Sequence, residues 1–256
     1  MGASARGIFI DLGGTFRIVT ANQAYSDDAK RRVAELAGTE LPAAAFHDLI
    51  EERYKDYRDW ALRNMCEAPE AALWTRWLAF DLDPARLERH AGELTYYYRR
   101  CKGERVVVPG GVETVKELRA RGYTLGIISD LIGCTEIDEW LDKDGLRPYF
   151  ATVQQSSVTM LRKPHPAIYY QALREAGVRP EEAAFVGDNL KRDIIGAKET
   201  GFGLTIAVDY PDAPALVFNA ANMPDGRITR FDDLLKIFPG APAAVIGPEF
   251  KILSGG

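Results

Sequence analysis

Histidine and cysteine are scarce in this chain, three of each in 256 residues. Cys66, Cys101 and Cys134 are odd in number and widely spaced, which argues against a disulfide framework. With His47, His90 and His165 they form no local cluster of the kind that holds zinc. Metals that prefer oxygen ligands remain open. No run approaches the roughly 20 apolar residues of a membrane-spanning helix, so no membrane partner is expected. The opening MGASARGIFIDLGG lacks the basic start, long apolar stretch and cleavage site of an export signal, which predicts a cytoplasmic protein. Gly2 matches a myristoylation start only in part. Charge of neither sign dominates: the formal net charge is -5, which argues against a broad nucleic-acid surface. There is no internal repeat and no low-complexity tract.

What remains is ordinary globular composition, 46% apolar and 27% charged, in a length that allows one sizeable core and a smaller second unit. GIFI (7–10) is a short apolar run ending at Asp11 and breaking into the glycine-rich turn LGGT. From 21 to 103 the texture is helical. In AFHDLIEERYKDYRDWALRN, the positions Phe46, Leu49, Ile50, Tyr54, Tyr57, Trp60 and Ala61 follow the helix period. With AYSDDAKRRVAELAG, PEAALWTRWLAF and DPARLERHAGELTYYYRRC this predicts four helices packed as a small bundle. After 104, short apolar runs (VVV, TLGIISD, YFATVQQ, AAFVG, LTIAV) alternate with helical segments, the βαβ signature of a mostly parallel sheet covered on both faces. The expected fold class is α/β, a Rossmann-like parallel core of residues 1–20 and 104–240. A helical bundle of 21–103 is inserted in it, and a loosely structured tail, 241–256, follows.

Three apolar runs end in polar residues: Asp11 after GIFI, Ser129 and Asp130 after LGII, Asp188 and Asn189 after AFVG. Ligands of an open parallel sheet gather beyond the carboxyl ends of the strands. If these strands are neighbours, Asp11, Ser129 and Asp188 share one crevice. Two carboxylates held close repel each other, and a hard cation with oxygen ligands, such as magnesium, resolves that repulsion. Taken singly, each residue also has a plain structural role: Asp11 as a turn former, Ser129 and Asp188 as helix caps.

With these motifs in order, the chain resembles the haloacid dehalogenase superfamily. Its members have a strand ending in Asp-x-Asp-Gly-Thr, then a Ser or Thr, a Lys, and Gly-Asp with a further Asp downstream. Here these are DLGGT (Asp11 to Thr15), IISD (Ser129), RKPHPAIY (Lys163) and GDNLKRDIIGA (Asp188 and Asp193). The helical segment falls where the family carries its cap. The resemblance implies a phosphatase-like hydrolase acting on a small phosphorylated metabolite, as a monomer or homodimer. Asp11 would attack phosphorus and form an aspartyl-phosphate. Mg2+ would be held by Asp11, the carbonyl of Gly13 and Asp188. Ser129 would donate to a phosphoryl oxygen, Lys163 would neutralise growing charge, and N–H groups of the Leu12–Gly14 turn would add donors. Asp193 would orient Lys163 or support the metal shell, and Asn189 stands where Ser or Thr is common.

The departure is Gly13. Family phosphatases have a second Asp there, which protonates the leaving alkoxide and later helps to activate water. Gly13 can do neither. A substrate with a good leaving group, an acid supplied by the insert, or a catalytically weakened protein that binds a phosphorylated ligand or a partner would each be consistent with it. Family branches without that Asp fit less well: dehalogenases lack the Gly-Asp motif kept at Asp188. ERYKDYRDW around Lys55 does not look like the Schiff-base lysine of phosphonoacetaldehyde hydrolases.

Overall fold

The computed structural model describes residues 5–241. In chain order its strands are β1 (Gly7–Ile10), β2 (Arg17–Thr20), β3 (Glu104–Val107), β4 (Thr124–Ser129), β5 (Phe150–Gln155), β6 (Ala183–Gly187), β7 (Leu204–Val208) and β8 (Gly226–Ile228). The α-helices are α1 (Gln23–Ala37), α2 (Ala43–Asn64), α3 (Glu70–Leu73), α4 (Pro84–Arg89), α5 (Ala91–Arg100), α6 (Gly111–Ala120), α7 (Glu136–Lys143), α8 (Ser156–Thr159), α9 (Pro166–Ala176), α10 (Gly196–Glu199) and α11 (Leu234–Ile237). Wide π-helical turns cover Trp74–Leu78 and Leu190–Ile195. Beyond Ala241, the tail expected to be loosely structured lies outside the described residues.

Six strands form one sheet in the order β5-β4-β1-β6-β7-β8, and each neighbouring pair is parallel. This is the α/β sheet expected from the alternating texture. β1 is central and all four of its residues are buried, which explains why GIFI carries no polar side chain. Ile8 and Ile10 pack with Leu125, Ile127, Ala184 and Val186 on one face. Phe9 packs with Ile128, Tyr169 and Phe185 on the other. The period of two in the strand thus supplies both layers.

The VVV run departs from the expectation. It does not enter the main sheet; β3 pairs antiparallel with β2, from Arg17 opposite Val107 to Thr20 opposite Glu104. β2 is a strand with no clear mark in the sequence. The two are the outgoing and returning connections of the helical segment, so the chain itself brings them side by side. The helices also divide more finely than the expected four: the tract from Pro84 breaks at His90 into α4 and α5, and PEAALWTRWLAF begins as α3 and widens at Trp74.

Residues 23–100 have their own buried cluster, including Phe46, Ile50, Tyr57, Trp74, Leu87, Leu94 and Tyr98. Trp74 Nε1 donates to Thr95 Oγ1 at 2.9 Å, so its polar edge is satisfied inside the cluster. A second connection joins these helices to the sheet. Cys66 bridges Leu161, Glu67 N donates to Met160 O at 2.9 Å, and Arg162 N donates to Met65 O at 3.0 Å. Glu67 is buried, and its carboxylate accepts from Tyr57 Oη, Ser156 Oγ and Arg162 Nη1.

Gly126 lies opposite Phe9 in the β1–β4 register, and a Cβ there would stand 2.6 Å from the Phe9 ring and 2.9 Å from Thr152 Cγ2. Both neighbours are buried in packed layers. Gly126→Ala is therefore expected to destabilise the protein by about 1–3 kcal/mol through overpacking, read as a lower urea midpoint. An unchanged midpoint would contradict the tight β1–β4 face.

Candidate active site

Because β4, β1 and β6 are neighbours, the sheet brings Ser129, Asp11 and Asp188 to the carboxyl ends of three adjacent strands. Lys163 comes from the connection between α8 and α9, and Asp193 from the wide turn after β6. Asn189 caps that turn: its side chain accepts from Arg192 N at 3.0 Å. Asp188 is therefore not the cap, and its carboxylate is available to the site.

The Lys163 ammonium, 1% exposed, donates to Asp11 Oδ1 and to Asp193 Oδ1, each at 2.7 Å. Asn189 N donates to the other Asp193 oxygen at 2.9 Å. Both oxygens of Asp193 are thus engaged, whereas Asp11 and Asp188 each keep one oxygen with no hydrogen-bond partner among the described residues. The engaged Asp188 oxygen accepts from Thr15 Oγ1 at 3.1 Å. Oxygens of Asp11, Asp188 and Asp193 lie within 4.8 Å of one another.

Burial raises the Asp11 carboxyl to about 7; Lys163 opposes this, and Asp193 and Asp188 add to it. Asp188 is also raised, by burial and by Asp193, against Lys163 and Thr15. Burial alone would pull the Lys163 ammonium down, but Asp11, Asp193 and Asp130 outweigh it and hold it above its ordinary value. Lys163, with Arg192 acting from farther off, thus faces Asp11, Asp188 and Asp193 while Asp130 occupies Arg192, and the surplus negative charge on oxygen donors suits a hard divalent cation such as Mg2+.

Three glycines divide by role. A Cβ at Gly14 would stand 2.4 Å from Asp188 Oδ2, in a backbone with φ +82. A Cβ at Gly187 would stand 2.4 Å from Asp193. Both positions need the missing side chain for a carboxylate to come close. A Cβ at Gly13 meets nothing within 4 Å, so the space where the resembled family has its acid is open.

A cavity of about 260 Å³ lies over this cluster, and Asp11, Gly13, Ser129, Asp130 and Arg192 are among its lining residues. Ser129 Oγ has no hydrogen-bond partner among the described residues, which leaves it available to a ligand. The Gly14 N–H is committed to Arg17 O at 2.9 Å; in the turn, the N–H groups of Leu12 and Gly13 have no backbone partner among the described residues. Asp130, to which the sequence alone assigns no role, accepts from Lys163 N at 2.9 Å and Arg192 Nη1 at 3.2 Å, with Arg162 at 3.7 Å. Arg162 and Arg192 had no distinguishing signal in the sequence: their partners lie tens of residues away. The cavity also takes Arg17, Arg99 and Arg105. Of the tyrosine run, Tyr98 is buried in the helical cluster, while Tyr96 and Tyr97 line an outer cavity.

Comparison with known proteins places this arrangement in a group. The family model described as haloacid dehalogenase-like hydrolase matches residues 5–201. A glyceraldehyde 3-phosphate phosphatase of Pyrococcus furiosus is 34% identical over 241 residues, 90% of this chain and 91% of that protein. The pyrophosphatase PpaX of Bacillus cereus is 34% identical over 125 residues, 49% of this chain and 56% of that protein. The crystal structure of a 2-haloacid dehalogenase from Pseudomonas syringae pv. Tomato superposes with a TM-score of 0.66 at 21% identity, covering 91% of this chain and 97% of that one.

The raised Asp11 carboxyl has a consequence for stability. Its folded value lies above its unfolded value of 3.8, so the folded state binds more protons between the two. The stabilisation is full below about pH 4 and is lost as pH rises through about 7. In protein stripped of divalent cations, the melting temperature is expected to fall over that range more steeply than in Asp11→Asn. Parallel profiles for the two proteins would contradict the assignment.

Proposed function

We propose a reaction on the premise that the chain belongs to the haloacid dehalogenase-like hydrolase family: a magnesium-dependent phosphohydrolase that acts on a small phosphorylated metabolite through an aspartyl-phosphate on Asp11. The observation that carries it is the buried Asp11–Lys163–Asp193 triad with Asp188 beside it. The helices, taken with their connections as residues 21–103, would serve as a cap over a core of 1–20 and 104–240. The two places where they join the sheet side support this reading. No helix among the described residues is long and apolar enough to cross a membrane.

Asp11, Asp188 and the Gly13 carbonyl would hold the cation, which when bound neutralises the carboxylates and polarises the phosphoryl group. The chain's own residues do the rest. Lys163 keeps one Asp11 oxygen in place, so the other is the nucleophile. Ser129 Oγ and the Leu12 and Gly13 N–H groups donate to phosphoryl oxygens whose charge grows in the transition state. Attack forms the Asp11 O–P bond and breaks the bond from phosphorus to the leaving oxygen, which takes the electron pair. Water then cleaves the aspartyl-phosphate and restores the Asp11 carboxylate.

Protonation of the leaving oxygen is the weak point. Among the described residues lining the cavity, the carboxylates are Asp11 and Asp130, and Asp130 is held by Lys163 N and two arginines. No acid from the insert fills the space at Gly13. Loss of positioned proton transfer costs roughly 10²–10⁴-fold, about 3–5 kcal/mol, so the substrate is one whose leaving group departs as a stable anion. A protein that binds a phosphorylated ligand without turning it over is the outcome to expect if activated substrates also fail.

With Mg2+, acetyl phosphate and 4-nitrophenyl phosphate are expected to be hydrolysed and glycerol 3-phosphate hardly at all. Asp11→Asn is expected to lower turnover by about 10³-fold or more, and chelation of the metal to abolish it. Asn-substituted protein as active as wild type would remove Asp11 as nucleophile. Since the space at position 13 is open, Gly13→Asp is expected to raise turnover of the alkyl ester by about 10²-fold. An unchanged rate would mean that leaving-group protonation does not limit this chain.

A further inference from the structure

We propose that Arg105, supported by Arg17 and Arg99, forms an anion subsite on the leaving side of the cavity, and that the substrate is a phosphoanhydride whose leaving group is itself a phosphate. This rests on the Asp11 reaction above and names the substrate class that it serves.

The cavity over Asp11 adjoins a second of about 360 Å³, and Arg17, Arg105 and Trp140 line both. Asp11 lines the inner one alone. Arg105 therefore stands between the attacking carboxylate and the space into which a leaving part would extend. It sits on β3, half-buried, and its Nη1 donates to the carbonyl of Arg99.

The neighbouring cations are paired. Arg17 meets Asp144, Arg99 meets Glu136, Arg100 meets Glu139 and the far side of Glu136, and Arg192 meets Asp130. Arg105 has no carboxylate within 4.0 Å among the described residues. Burial lowers its guanidinium to about 10, and Arg99 adds to this. Arg100 acts in the same direction and Glu136 offsets it only in part; a half-buried cation with no carboxylate of its own is unfavourable in the free protein, and a ligand anion relieves it. Arg17 acts as a brace: Nη2 donates to the Arg105 carbonyl at 3.0 Å and the guanidinium lies 4.5 Å from the Trp140 ring centroid. Arg105 Nε and Nη2 and the two Nη groups of Arg99 have no hydrogen-bond partner among the described residues, and such donors suit the tetrahedral oxygens of a phosphate.

Gly13 and Arg105 select the same chemistry. A phosphorylated hydroxy acid has a second anion, but it leaves as an alkoxide and needs the proton that Gly13 cannot give. An acyl phosphate needs no proton, but its leaving carboxylate offers fewer oxygens to two guanidiniums. A phosphoanhydride meets both conditions. With monoprotonated pyrophosphate, Asp11 attacks the unprotonated phosphoryl end, the bridging P–O bond breaks, and its electron pair leaves on hydrogen phosphate. Water then converts the aspartyl-phosphate to the Asp11 carboxylate and dihydrogen phosphate.

Calorimetric titration with methylenediphosphonate and with methylphosphonate, both in Mg2+, separates the subsite from the reaction. The wild type is expected to favour the bisphosphonate. Arg105→Gln is expected to shrink that preference by about ten-fold or more, and Arg105→Lys, which keeps the charge, to retain part of it. The kcat/KM ratio of pyrophosphate to 4-nitrophenyl phosphate is expected to fall in parallel. Equal binding of the two phosphonates by the wild type, or a preference that Arg105→Gln and Arg105→Lys leave intact, would overturn the subsite. A preference lost in the variants without Asp11-dependent release of phosphate from pyrophosphate would support the subsite and overturn the reaction.

Discussion

One ammonium group holds the site together. Lys163 is buried between Asp11 and Asp193, with Asp188 close by, and among the described residues nothing else in direct hydrogen-bond contact with Asp11 carries positive charge. Removing its charge would leave three crowded carboxylates in a poorly hydrated place, a larger penalty than the loss of any one hydrogen bond. The position of Lys163 is set from several directions. Asp130 accepts from its backbone N–H, Arg192 and Arg162 hold Asp130, and Arg162 reaches Glu67 in the helical segment. Asp11 is thus connected, through charged pairs, to the segment that would cover it.

That connection gives the helical segment two attachments to the sheet side. One is the β2–β3 ribbon; the other is the bridge at Cys66 and Leu161 with the Glu67–Arg162 pair. Tyr57 Oη and Ser156 Oγ complete the Glu67 shell, so the buried carboxylate is well partnered. A segment attached at two places is held in register with the cavity, and β3 carries Arg105 into that cavity as a direct result.

Much of this was legible in the sequence. The parallel sheet followed from apolar runs separated by helical ones, and polar residues at three run ends pointed to one crevice. Lys163 and Asp193 entered through the family resemblance. What was not legible depends on contacts distant in sequence. RIVT is too short to stand out, and it becomes β2 because β3 returns beside it. Asp130, Arg162 and Arg192 look like ordinary charges until folding joins them, and Arg105 is a single charge just before the VVV run. The helical boundaries shifted for a related reason: tertiary packing around Trp74 and the break at His90 override the simple period. Gly13 was visible as a departure, but only the open space around it, against the crowded surroundings of Gly14 and Gly187, shows that packing does not require a glycine there.

The central claim is that Asp11 takes the phosphoryl group while position 13 supplies neither proton nor base. The residue missing at 13 would also help water to attack the intermediate, so the aspartyl-phosphate should build up before it is hydrolysed. The direct measurement is rapid acid quench of the protein mixed with acetyl phosphate and Mg2+, followed by mass spectrometry of its peptides. The account predicts a transient phosphoryl group on Asp11, with a burst of acetate before steady turnover. Turnover with the phosphoryl group on another residue, or with no covalent phosphate and no burst, would contradict it.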